Sequence, residues 1–274
     1  MSLIEAIVLG IVQGLTEFLP ISSTAHLRIV PAFFSWDDPG AEFTAVTQLG
    51  TMVAVLAYFR ADLWRISRAW LASLRDAGRR SDLDARLGWY IIVGTVPIVI
   101  FGVLFERQIE TGARSLYLMA TTLIVLGLVL LLAERVGSQT RPLEDINARE
   151  GVVVGLAQAA ALVPGVSRSG ATISAGLFLG LDRAAAARFS FLLSVPAVVL
   201  SGVFQLAAIL SGDNGESGGV VGLVVATLLA FAVGYASIAF LLRWLASHST
   251  LVFVVYRVAL GVLVLALAAT GAIT

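Results

Sequence analysis

Gln13-Gly-Leu-Thr-Glu17-Phe-Leu-Pro20-Ile-Ser22-Ser23-Thr24-Ala-His26 lies in the middle of an apolar region spanning 3–33. A second break of the same kind, Pro164-Gly165-Val-Ser167-Arg168-Ser169-Gly170-Ala-Thr172, interrupts the apolar region 150–181. Lipid offers no hydrogen bonds to a carboxylate, an imidazole, an arginine or a row of hydroxyls, so these groups must face a cavity lined by protein. A helix needs about 20 apolar residues to cross a bilayer. The arms on either side of each break are shorter than that, and proline ends a helix by removing a donor and clashing with the preceding turn. Each region therefore reads as a helix–turn–helix hairpin that enters and leaves on one side. A single kinked spanning helix is the alternative.

The rest of the chain supports a membrane setting. Of 274 residues, 58% are hydrophobic and only 13% charged, about half the charged share of a soluble domain. Net charge is zero, which argues against a nucleic-acid partner. There is no cysteine, hence no disulfide framework and no thiolate metal site. All 18 basic residues are arginine, so lysine nucleophiles and Schiff-base chemistry are excluded. Met1-Ser-Leu-Ile-Glu5 has no basic n-region, and no signal peptide is expected.

Six stretches read as spans: 43–59, 88–105, 115–133, 189–210, 219–242 and 251–272. Segment 60–87 holds seven arginines and is expected on the cytoplasmic side, as a solvated face and topology signal. Counting spans from it puts 134–149 and Arg243 inside, and 34–42, 106–114 and 211–218 outside. Residues 1–134 then comprise a hairpin and three spans, and so do 150–274, joined by a cytoplasmic linker at 135–149. Three is an odd number, so the second half is expected upside down relative to the first. Gly10-Ile-Val-Gln13 is echoed by Gly155-Leu-Ala-Gln158. The expected fold is an all-α polytopic membrane protein with an inverted repeat, an architecture that sets broken helices and the substrate site near the midplane.

Gln13 and Glu17 are four residues apart, on one face of the first arm. After Pro20, one of Ser22, Ser23 or Thr24 can cap the next helix, and His26 lies over the same turn. In the second break, Ser167, Arg168 and Ser169 open a helix, with Thr172 one turn on. A glycine-bearing, hydroxyl-rich turn at a helix N-terminus suits an anion, and a guanidinium adds a planar fork for phosphate. If the hairpin tips meet, the combination fits phosphoryl transfer. A structural ion pair between Glu17 and Arg168 is the plainer reading of those two. Gln48, inside an apolar span, and Tyr256-Arg257, opening the last one, are secondary candidates. The five tryptophans suit interfacial belts.

These two motifs resemble the signatures of the undecaprenyl-diphosphate phosphatase family, the bacitracin-resistance membrane phosphatases, and the resemblance covers essentially the whole chain. It implies hydrolysis of undecaprenyl diphosphate to undecaprenyl phosphate and inorganic phosphate. It also implies a divalent cation (Mg2+ or Ca2+) and a cleft opening to the outer side of the cytoplasmic membrane. Carried over by position, Glu17, Ser23, His26 and Arg168 match the catalytic residues. Ser167, Ser169 and Thr172 match the phosphate cradle; Gln13, Ser22, Thr24 and Gln48 are expected in substrate binding. Many members have glutamate where this chain has Gln13, so the motif supplies one carboxylate, and a cation is expected to bridge Glu17 and the diphosphate. Either Ser23 or His26 could attack phosphorus. A transporter or flippase of a polyprenyl phosphate is the alternative function, and a homodimer is left open. A phosphatidic-acid-phosphatase type-2 enzyme is excluded, since its lysine-initiated motif is absent.

Overall fold

The computed structural model describes residues 1–105, 115–210 and 220–273. Its elements are helices: α1 (Leu3–Phe18), α2 (Ser23–Phe34), α3 (Gly40–Tyr58), α4 (Arg60–Arg75), α5 (Leu83–Leu104), α6 (Leu116–Val136), α7 (Ala148–Ala160), α8 (Arg168–Phe178), α9 (Arg183–Leu210), α10 (Val220–Leu245) and α11 (Leu251–Ala269). Helices α5, α6, α9, α10 and α11 are long and apolar enough to cross a bilayer, and α3 makes a sixth when taken with α4. The chain is an all-α polytopic membrane protein.

Both breaks are helical hairpins. Leu19, the residue before Pro20, is extended (ψ 143°), as the proline ring requires of its predecessor, and α1 stops there. In the second hairpin Gly165 turns the chain at φ 85°. Each following helix starts from a serine with positive φ, Ser22 at 75° and Ser167 at 70°. A non-glycine residue held there costs about 1–3 kcal/mol. Ser167 recovers part of this by accepting a hydrogen bond from Gly170 N at 3.2 Å.

Glycine lets the hairpin arms press onto spans. A Cβ on Gly10 would lie 2.5 Å from Ala226 O, and one on Gly14 would lie 2.8 Å from Ala230 O, so α1 runs parallel to α10 at backbone contact. Gly151 likewise faces Tyr90, and Gly155 faces the backbone of Gly94, so α7 runs parallel to α5. By contrast α6 and α11 are antiparallel: Gly261 meets Ala120 O while Gly127 meets the Arg257 and Val258 side chains.

The segment 60–87 corrects the sequence reading. It is not simply a solvated face: α3 bends by 70° into α4, and α4 buries Ile66 and Ser73 while packing on α5. Its density of arginine hides the apolar positions that recur three and four residues apart. Two spans also begin earlier than hydropathy suggests. Helix α5 starts at Leu83 because its polar first turn is anchored, Asp84 accepting from Arg65 Nε at 2.7 Å and Arg86 donating to Ile146 O at 2.6 Å. Helix α9 starts at Arg183, which donates to Glu134 at 2.7 Å.

Candidate active site

The hairpin tips meet. Glu17, in the last turn of α1, accepts from Arg168 Nη2, at the start of α8, at 2.5 Å. Its other oxygen accepts from Ser23 Oγ at 2.6 Å and from Gln13 Nε2 at 3.2 Å. One carboxylate thus gathers groups from α1, α2 and α8. The pair is largely withdrawn from solvent, the Arg168 and Glu17 side chains being 16% and 10% exposed. Attraction between charges strengthens in such surroundings, and so does the cost of losing either partner.

The cluster forms the floor of a cavity of about 770 Å³. Gln13, Glu17, Ser23 and Arg168 reach it, with Ser22, Thr24 and Ser167 beside them. Thr44 and Gln48 of α3 and Ser201 of α9 add polar lining, and Ile98, Val99 and Val103 of α5 with Leu200 and Phe204 of α9 add an apolar wall. These residues come from the beginning of α3 and the far ends of α5 and α9. The cavity therefore extends from the tips toward the end of the bundle away from α4 and its arginines.

A polar floor beside an apolar wall suits an amphipathic molecule, and the comparisons with known proteins show the family. The family model for the bacitracin resistance protein BacA matches residues 6–263. The chain belongs to the BacA family. It is 57% identical to an undecaprenyl-diphosphatase of Nocardioides sp., covering 98% of both chains. It is 57% identical to one of Mycolicibacterium smegmatis, covering 99% of this chain and 98% of that one. With one of Prosthecochloris aestuarii it shares 54%, over 99% of each.

Not every residue singled out in this BacA-family sequence reaches the cavity. His26 is buried outside the lining: its Nδ1 donates to Ser22 O at 2.7 Å, and Nε2 lies 2.7 Å from Tyr256 Oη. A carbonyl only accepts, so Nδ1 carries the proton. Ser169 donates to Leu19 O at 3.1 Å and so ties α8 to the first turn. Thr172 is fully buried, with Ser190 Oγ at 2.5 Å. His26 and Ser169 support the first turn and Thr172 ties α8 to α9; of the residues singled out, Gln13, Glu17, Ser22, Ser23, Thr24, Gln48, Ser167 and Arg168 line the cavity.

Arg257 has a larger part in the architecture than its place at the start of a span suggests. It is completely buried and donates to Pro20 O (3.0 Å) in the first turn and to Gly165 O and Val166 O (3.1 Å each) in the second. Leu123 O and Thr122 O of α6 accept from it at 3.2 and 3.4 Å. Thr122 Oγ1 also donates to Pro164 O at 2.8 Å. One guanidinium and one hydroxyl thereby pin both turns to α6 and α11. Thr44 lies four residues before Gln48, on the same helical face, and that spacing was the available signal for a further lining residue. Nothing in the sequence marks Ser201 out from other serines in spans.

Proposed function

We propose that the chain hydrolyses undecaprenyl diphosphate to undecaprenyl phosphate and inorganic phosphate, so recycling the lipid carrier of cell-wall synthesis. The observation that carries this reading is the Glu17–Arg168 pair joining two hairpin tips on the floor of a cavity with an apolar wall. The relatives' names supply the substrate. The diphosphate sits on the floor and the isoprenoid chain follows the α5–α9 wall.

Arg168 spends one N–H on Glu17, leaving the rest of its fork to neutralise the terminal phosphoryl oxygens. Ser23 is the nucleophile: its Oγ attacks the terminal phosphorus while the proton passes to Glu17 Oε2, 2.6 Å away. The Ser–O–P bond forms as the bridging P–O bond breaks, and undecaprenyl phosphate leaves. Glu17 gives up that proton to solvent through the open cavity, takes one from the water that attacks the phosphoserine, and returns it to Ser23 Oγ as the Ser–O–P bond breaks and inorganic phosphate leaves. His26 lies off the cavity with both ring nitrogens engaged, which favours Ser23 as the attacking group; His26 holds the Ser22 carbonyl and with it the turn that aims Ser23.

A divalent cation fits the donor set. Among the described residues Glu17 is the one carboxylate of the lining, and Gln13 Oε1 is buried with no partner. One carboxylate and one amide oxygen suit a hard ion that takes its remaining ligands from phosphate and water. Bound there, Mg2+ or Ca2+ would lower the negative charge of the diphosphate.

The two halves are proposed to form an inverted repeat, 1–134 and 150–274. Support comes from exchanged packing: the first arm of each hairpin lies parallel to the middle span of the other half, Gly10 on Ala226 and Gly155 on Gly94. Arginine concentrated at the α4 end is consistent with that end being cytoplasmic, so the cavity opens to the outer face of the inner membrane. Purified protein releasing phosphate from undecaprenyl or farnesyl diphosphate tests the activity. Binding and translocation without release would favour a flippase.

A further inference from the structure

Helix α4 has a face that the catalytic reading does not use. Its body side, through Ile66, Trp70 and Ser73, packs on α5. Asp62 is turned the same way, pairing with Arg65 at 3.1 Å and with Arg188 at 2.7 Å. The opposite side carries Arg60, Trp64, Arg68, Leu71 and Arg75, spaced by four, four, three and four residues. All five are exposed, Trp64 at 71% and Leu71 at 56%. At 3.6 residues per turn that spacing draws one row along the helix. Cation and apolar group alternate along it, and it contains no carboxylate. Arg60 makes one hydrogen bond, to Ala57 O of the preceding helix.

The row begins where α3 ends and turns by 70°, so α4 runs along the end of the bundle rather than through it. An aqueous surface gives no reason to leave Trp64 and Leu71 bare. A leaflet boundary does, since indole and leucine sink among acyl chains while guanidinium groups meet phosphates. We propose that this row is a binding stripe for anionic phospholipid headgroups of the leaflet at the α4 end. The stripe rests on the membrane placement of the bundle and not on the chemistry assigned to the cavity.

The test uses the full chain in nanodiscs of phosphatidylcholine with or without phosphatidylglycerol. Wild-type protein carried back into detergent should retain phosphatidylglycerol over phosphatidylcholine, read by mass spectrometry, by at least about tenfold, since each arginine near an anionic surface adds to the attraction. Changing Arg60, Arg68 and Arg75 together to Gln should abolish most of that preference, and the three Lys replacements should keep it. No wild-type preference, or its survival in the Gln variant, overturns the proposal. Depth is read separately with a bimane on Leu71→Cys, the chain having no native cysteine. Quenching by brominated acyl chains and protection from aqueous iodide are expected. Quenching by iodide would mean a solvated helix, and protection from both would mean a protein partner; either result overturns it. None of these positions lines the cavity, so phosphate release from farnesyl diphosphate in detergent should stay at the wild-type level and reports that each variant is folded.

Discussion

At the scale of single residues, the proposed chemistry rests on how one carboxylate is shared. Glu17 accepts from Arg168, Ser23 and Gln13 at once, so removing it releases a buried guanidinium and a hydroxyl together. Glu17→Gln or Arg168→Gln should lower phosphate release at least about 100-fold, each change removing a charge that acts on the transferring group. Steady-state kinetics on detergent-solubilised protein checks this, and near-wild-type turnover in either variant would remove the site. Gln13 gives a second test. Activity should vanish in excess chelator and return with Mg2+ or Ca2+. Gln13→Glu should lower the cation concentration needed for half-maximal activity, by adding a charged oxygen ligand beside Glu17. Full turnover in chelator would show that Arg168 and the helix ends neutralise the diphosphate unaided. Arg257 predicts a different phenotype. Arg257→Met leaves turn carbonyls of both hairpins without their donor, at about 1–3 kcal/mol for each buried group left unsatisfied. The thermal unfolding midpoint should therefore fall together with kcat, and Arg257→Lys should recover part of both. Loss of kcat with unchanged thermal stability would contradict a bracing role.

Among the elements, what could be read in the sequence and what could not divide along a physical line. Pro20 and Pro164-Gly165 set in apolar runs, with hydroxyls after them, announced the hairpins, because lipid leaves such groups few alternatives. Helix α4 was hidden since its buried positions are few and its arginines dominate any window average. The meeting of Glu17 with Arg168 was legible as a matching of charges, whereas the seat of His26 was not. Helical spacing says that His26 shares a turn with Ser22, but only the neighbouring helix decides whether that face meets the cavity or Tyr256. For the same reason Ser169 and Thr172, which sequence grouped with Ser167 and Arg168, lie behind the floor, and Arg257 as a brace became visible only with both turns in place. The glycine contacts yield a prediction at this scale. Gly155→Val would drive side-chain carbons into the Gly94 backbone, and Gly10→Val into Ala226. Overpacking of this kind costs about 1–3 kcal/mol. Both should lower thermal stability in detergent, while Gly271→Ala, with nothing within 4 Å of its Cβ position, should pack no worse and suffer only from its φ of 71°.

For the whole molecule, helix directions constrain topology more tightly than hydropathy does. Helices α1 and α3 both run parallel to α10, and α5 runs parallel to α7, as the glycine contacts require. On the proposed orientation, which puts the arginines of 60–87 on the cytoplasmic side, α3 would run inward and α5 outward. The hairpin α1–α2 then dips in from outside, and α7–α8 dips in from the cytoplasm. Asp37, before α3, and Ser81, before α5, are both exposed and lie at opposite ends of this arrangement. Asp37→Cys should react with an impermeant maleimide on intact cells, and Ser81→Cys only after lysis, against a chain with no cysteine of its own. Reversed labelling would turn the cavity toward the cytoplasm, where a carrier released on the outer face could not reach it. Labelling of both from one side would mean that α3 does not cross, and the inverted repeat, which needs an odd number of spans in each half, would fall with it.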